Sequence, residues 1–204
     1  MPALVRLPPV RLARWAGPAT LTTALVAGAG PASAHILSSA GGFASGFAHP
    51  MTGADHFLAM FAVGIWGAQM GGRSVWTLPV TFPLIMAAAG LAGMSGLVLT
   101  HVETGIALSI LALGLAIALR LRVPEALALL AISVFAVFHG YAHGVELPLA
   151  TDPAAYAVGF VVATGCIHVL GIGVGLVLLR PMRGRLAQGL GAAIAAAGVA
   201  YLVA

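Results

Sequence analysis

The 204-residue chain has no lysine, a single cysteine and little charge of either sign: only 7% of its residues are Asp, Glu, Lys or Arg. Each scarcity excludes something. Without lysine there can be no Walker-type phosphate loop, so the chain carries no ATPase signature of its own. One cysteine, Cys166, cannot form an intrachain disulfide or supply a thiolate cluster. Lying in the middle of an apolar run, it reads as a small core residue. With so few charges the chain is too apolar to be soluble. What is present is hydrophobic: 61% of residues are apolar and the mean hydropathy is +1.08, which places the chain in the membrane class. The pI near 10.2 does not point to nucleic acid. The nine basic residues are all arginines, set in short clusters between apolar runs, where they orient a protein in a bilayer. The expected partner is therefore lipid, with no nucleic acid.

The N-terminus reads as a secretory signal. Arg6, Arg11 and Arg14 form a basic region, Ala16 to Gly30 is a short apolar stretch, and "PASA" at 31–34 ends in a small-x-small cleavage pattern. The apolar stretch is shorter than the ~20 residues a membrane span needs. The expectation is a signal peptide over 1–34, cleavage after Ala34, and His35 as the new N-terminus. Residues 35–204 then form one permease domain.

Beyond residue 34 the apolar runs predict an all-α, polytopic membrane protein with six spans, near 50–69, 75–100, 103–121, 124–146, 154–179 and 186–204. Strand-like alternation is absent, and a helix satisfies its own backbone in lipid. Pro50, Pro124 and Pro153 each fall at an expected helix start, whereas Pro79 and Pro83 lie inside the second span. Pairs such as Gly67-x3-Gly71 and Gly171-x3-Gly175 predict close helix approach. Alternate loops carry Arg73, then Arg120 and Arg122, then Arg180, Arg183 and Arg185. The loops between them carry Glu103, then Glu146 and Asp152. The positive-inside rule puts the arginine loops in the cytoplasm and the mature N- and C-termini in the periplasm of a bacterial inner membrane.

With that orientation, six of the seven histidines fall toward the outer face: His35, His49, His56, His101, His139 and His143, with His168 near mid-membrane. In "FHGYAHGVE" (138–146) His139, His143 and Glu146 stand at i, i+4 and i+7, on one helical face. In "HPMTGADH" (49–56) His49 and His56 are also seven apart. Asp55 lies about 100° around the helix from His56, so it is expected to orient an imidazole on another helix rather than bind beside its neighbour. Several neutral imidazoles with few carboxylates suit Ni²⁺, Cu²⁺, Zn²⁺ or Co²⁺ as transported ligand, not Mg²⁺ or Ca²⁺, and no prosthetic group is expected. Buried ionisable groups in a membrane also serve proton relays, and a single membrane histidine can simply hydrogen-bond to a neighbouring helix.

"HPMTGADHFLAMFAVGIW" (49–66), "FHGYAHGVELP" and "GCIHVLGIGVG" (165–175) resemble the three hallmark segments of the HupE/UreJ family across the whole mature chain. That resemblance implies a secondary nickel transporter serving hydrogenase or urease maturation, with the corresponding metallochaperones as partners. It maps His49, Asp55 and His56 onto the family's metal motif, and His139, His143 and Glu146 onto its second segment. Two other classes compete. "GMSG" (93–96) with His168-x2-Gly171 resembles the serine and histidine segments of rhomboid proteases, giving a Ser95/His168 dyad. His56 and His139 could instead ligate a haem from facing helices. The preferred expectation is a permease, not an enzyme. It captures a divalent cation on His35, His49 and His101, passes it to His56, His139 and His143 with Asp55 and Glu146 in support, and releases it past His168. A homo-oligomer is compatible with this reading.

Overall fold

The computed structural model describes residues 42–147, 152–178 and 184–204. These residues form seven helices: α1 (Gly42–Thr52), α2 (Ala54–Met70), α3 (Ser74–Met94), α4 (Val102–Ala118), α5 (Glu125–Val145), α6 (Pro153–Leu178) and α7 (Gly184–Val203). Four of them, α3, α5, α6 and α7, are long and apolar enough to cross a membrane, and α4 is a shorter apolar helix. The chain is thus an all-α, polytopic membrane protein.

The apolar run at 50–69 is not one helix. It divides at Gly53, whose extended backbone (φ −77°, ψ 102°) precedes α2. Pro50 lies inside α1 rather than at a helix start. Pro124 does precede α5, Pro153 does open α6, and Pro79 and Pro83 lie within α3. α3 stops at Met94, short of the residue 100 expected for the second span, because Gly96 adopts a left-handed conformation (φ 82°). Apolarity alone had extended it through Leu97 and Val98, both of which are exposed.

α2 is the central helix. From Ala59 to Gln69 all but Phe61 are buried, and it packs on α1, α3, α4, α6 and α7. Around it α3 pairs with α5, α4 pairs with α7, and α6 packs on both α1 and α2. The outer surfaces carry Leu84, Leu91, Leu130 and Val169, the apolar face that lipid requires. Cys166 is on that exposed surface too, so it is not the core residue the sequence implied.

Backbone contact between helices depends on glycine, most consequentially in α5. A Cβ at Gly140 would collide with the Met86 carbonyl oxygen, and one at Gly144 with the Gly90 carbonyl oxygen, so α5 lies backbone to backbone on α3. Each glycine directly follows a histidine, so the same seating turns His139 and His143 inward. Gly171 and Gly175 likewise meet α2. Gly71 does not pack: with φ 74° and nothing near its Cβ position, it ends α2. Away from the histidines the bundle is tied by Trp66 Nε1–H donating to the Leu121 carbonyl (3.0 Å) and Thr77 Oγ1–H donating to Glu125 Oε1 (2.6 Å).

Candidate metal centre

The break at Gly53 folds the end of α1 over the start of α2, where His49 and His56 meet the His143 ring of α5. Four imidazoles meet there. The His49 and His143 rings are 4.7 Å apart, His143 and His56 4.4 Å, His56 and His139 4.8 Å, and His49 and His56 6.2 Å. Phe160 closes one side at 4.2 Å from His143, and Phe82 lies beneath His139 at 5.6 Å. His56, His139 and His143 are buried and His49 is partly exposed.

Within this group His49, His143 and Glu146 each offer a ligand atom, and those three atoms lie within 4.8 Å of one another. Glu146 caps the end of α5 and its carboxylate stands 3.9 Å from His49 Nε2. Two imidazoles and a carboxylate converging at this distance can close on a single cation with small side-chain rotations. The grouping differs from the expected one. His49 pairs with His143 and Glu146, not with His101, which stands exposed ahead of α4 with left-handed backbone (φ 59°) and joins none of these ring contacts. His35 lies outside the described residues, as does the proposed cleavage site.

The two deeper imidazoles are held in defined tautomers. Asp55 Oδ1 accepts from His56 Nδ1–H at 2.9 Å and from the His56 backbone N–H at 2.8 Å. Its position in the first turn of α2 favours the carboxylate charge. With Nδ1 committed as donor, His56 Nε2 keeps a bare lone pair, and it has no partner. Asp55 therefore orients its own neighbour, contrary to the expectation from the helical wheel. The wheel gives the direction of Cβ, not the reach of a carboxylate that folds back along the chain.

His139 is fixed by a residue that sequence reasoning missed. Ser109, fully buried on α4, donates its hydroxyl hydrogen to the Ile106 carbonyl at 2.6 Å. Its oxygen, 2.9 Å from His139 Nε2, must then accept Nε2–H, since a hydroxyl has one hydrogen. That leaves His139 Nδ1 as the open lone pair; among the described residues it has no partner, and neither ring nitrogen of His143 has one. Buried polar atoms are rarely left unsatisfied, because each costs about 1–3 kcal/mol. Several such nitrogens on neighbouring rings match the preorganised donor set of a metal site, in which a second group fixes each ring.

The competing arrangements are not assembled. Ser95 is exposed at the end of α3 and its hydroxyl donates to the Ala92 carbonyl at 2.7 Å. His168 is buried within α6, facing Phe82 and the Pro79 backbone of α3, so no Ser95/His168 dyad forms among the described residues. The His56 and His139 rings are in edge contact, leaving no gap between them for the plane of a haem.

A bundle with apolar flanks and a His/His/Glu cluster that runs from buried His143 to exposed Glu146 defines a polytopic membrane protein equipped to hold a cation. The family described as "HupE / UreJ protein" matches residues 22–201. Over 185 residues the chain is 42% identical to Protein HupE of Rhizobium leguminosarum bv. viciae, an overlap of 90% of this chain and 97% of that protein. The chain belongs to the HupE/UreJ family. No solved structure matches it.

Proposed function

We propose that the protein is a secondary permease that imports a divalent transition metal, with Ni²⁺ as the expected cargo, from periplasm to cytoplasm for hydrogenase or urease maturation. The observation that carries this reading is the His49–His143–Glu146 group, with the open nitrogens of His56 and His139 directly behind it. Nitrogen-rich donors without thiolate favour nickel and its neighbours in the Irving–Williams order. The family resemblance supports nickel among these. In this reading six helices, α2 to α7, span the inner membrane after removal of residues 1–34.

Charge supports the same reading. A divalent cation in low dielectric is costly, and the four imidazoles bring no compensating charge when neutral. Glu146 and Asp55 supply two negative charges at the cluster, which balance the ion. His143 is the shared element: its ring touches both His49 and His56. A cation held by His49, His143 and Glu146 can move inward by exchanging ligands around His143 rather than by losing them all, as passage through a multi-site path requires.

The test is uptake of radioactive nickel by cells producing the protein. His56→Ala and His139→Ala should each reduce accumulation sharply at unchanged protein level. Wild-type accumulation in both variants would refute the transport reading. Competition by Co²⁺, Zn²⁺ and Cu²⁺ in the same assay ranks the cargo.

A further inference from the structure

Outside the histidine cluster, the bundle buries a second group of polar atoms with no hydrogen-bond partner. Among the described residues these are the Thr164 hydroxyl, Gln69 Oε1 and the ring nitrogens of His168, one of which faces the Pro79 carbonyl of α3 without good hydrogen-bond geometry. His168 is 2% exposed, Thr164 is fully buried and Gln69 is 4% exposed. Thr164 and His168 are four residues apart on α6, so they share a helical face. A buried helical threonine ordinarily donates to the carbonyl one turn back; Thr164 does not.

Their depth follows from the helix register. Gly64 of α2 lies against the His168 backbone. It is eight residues past His56, about 12 Å along the helix, and Gln69 is about 7.5 Å further. The Phe82 ring links the two levels: it lies 5.6 Å from His139 and 5.7 Å from His168. The bundle thus holds an outer imidazole cluster, one aromatic ring, and then a second imidazole with a hydroxyl one turn away.

We propose that His168 and Thr164 form a second, deeper cation station, reached past Phe82 from the outer cluster, at which a borderline divalent metal is held in transit. The proposal rests on the transport reading and extends it. A lone imidazole and a hydroxyl make a weaker ligand set than the outer cluster, which suits a site that must release its ion. With the His168 N–H directed at the Pro79 carbonyl, the other ring nitrogen and the Thr164 oxygen are the two open ligand atoms, and leaving them unpaired in the dry interior is otherwise unproductive.

The experiment compares equilibrium binding of Ni²⁺ to purified full-length protein with cellular nickel uptake. His168→Asn should leave binding at the outer cluster unchanged, which also reports that the bundle is assembled, while uptake falls about tenfold or more. His168→Cys should restore transport and shift its preference from Ni²⁺ toward Cd²⁺, because a thiolate is softer than an imidazole. Should His168→Asn lose outer-cluster binding, Thr164→Val, which conserves volume, decides the question and should slow uptake at intact binding. Wild-type uptake in His168→Asn or Thr164→Val, or the same metal preference in His168→Cys as in the wild type, overturns the deeper station alone. Absence of nickel uptake by the wild-type protein overturns the transport reading beneath it.

Discussion

Replacing Ser109 with alanine removes one oxygen from the interior of α4, at a residue that no ligand-based reading would select. Among the described residues its oxygen is the partner of His139 Nε2. In the variant that N–H is buried and unpaired, at a cost of about 1–3 kcal/mol. The ring can relieve the cost by shifting its proton to Nδ1 or by rotating. Either change removes the lone pair that faces the cluster. At about 1.4 kcal/mol per tenfold, the metal affinity of the inner pair should fall about 5- to 100-fold, the scale seen when a ligand's orienting partner is lost. Helix propensity returns only about 0.5 kcal/mol, since alanine is the better helix former, so thermal stability should fall by whatever part of the remaining cost the ring does not relieve. Calorimetric titration of purified protein with Ni²⁺, paired with a thermal melt, separates these effects. An Ser109→Ala protein with wild-type nickel affinity would refute the assignment of Ser109 as the group that positions His139.

Other outcomes follow from the same geometry. Gly140→Ala and Gly144→Ala each force α5 away from α3 and should destabilise the protein by about 1–3 kcal/mol, read as a lower melting temperature in detergent. The displacement of His139 and His143 should also weaken nickel binding. Asp55→Asn keeps an acceptor for His56 Nδ1 but loses a negative charge; nickel affinity should fall about 10- to 100-fold by direct titration, and an unchanged value would show that the carboxylate charge is dispensable. Nickel binding should hold at pH 5 and weaken as the pH falls toward about 4, because burial and the neighbouring His56 lower the His49 pKa to about 4 and below that a proton takes the lone pair the metal needs. Unchanged binding by purified protein at about pH 3 would contradict imidazole ligation at the point of capture.

The all-helical membrane class was legible because apolar runs of span length admit no other structure in lipid. The ends of α5 and α6 agree with the sequence reading to within a residue, where Pro124 and Pro153 mark the starts. Two features were not legible. The stop of α3 depends on the backbone conformation of Gly96, and the division at Gly53 depends on how α1 lies against α6; hydropathy encodes neither. In the site, His139, His143 and Glu146 were readable as one face of α5 from their spacing alone. The pairing of His49 with His143 was not, because it depends on the turn at Gly53 rather than on a shared helical face. Ser109 left no signal: a serine inside an apolar helix usually does nothing more than bond to the preceding turn. The glycines of "HGYAHG" read as generic packing residues, yet they seat the two histidines.

The Asp55 and Ser109 contacts have a thermodynamic consequence beyond orientation. Each assigns a neutral ring's only N–H to the nitrogen facing away from the cluster, so the nitrogen that meets the metal carries no hydrogen. Coordination by His56 and His139 then displaces nothing into solution. The heat of nickel binding at neutral pH should be the same in buffers of widely different ionisation enthalpy, and the inner pair adds no hydrogen-ion flux to the passage of the ion.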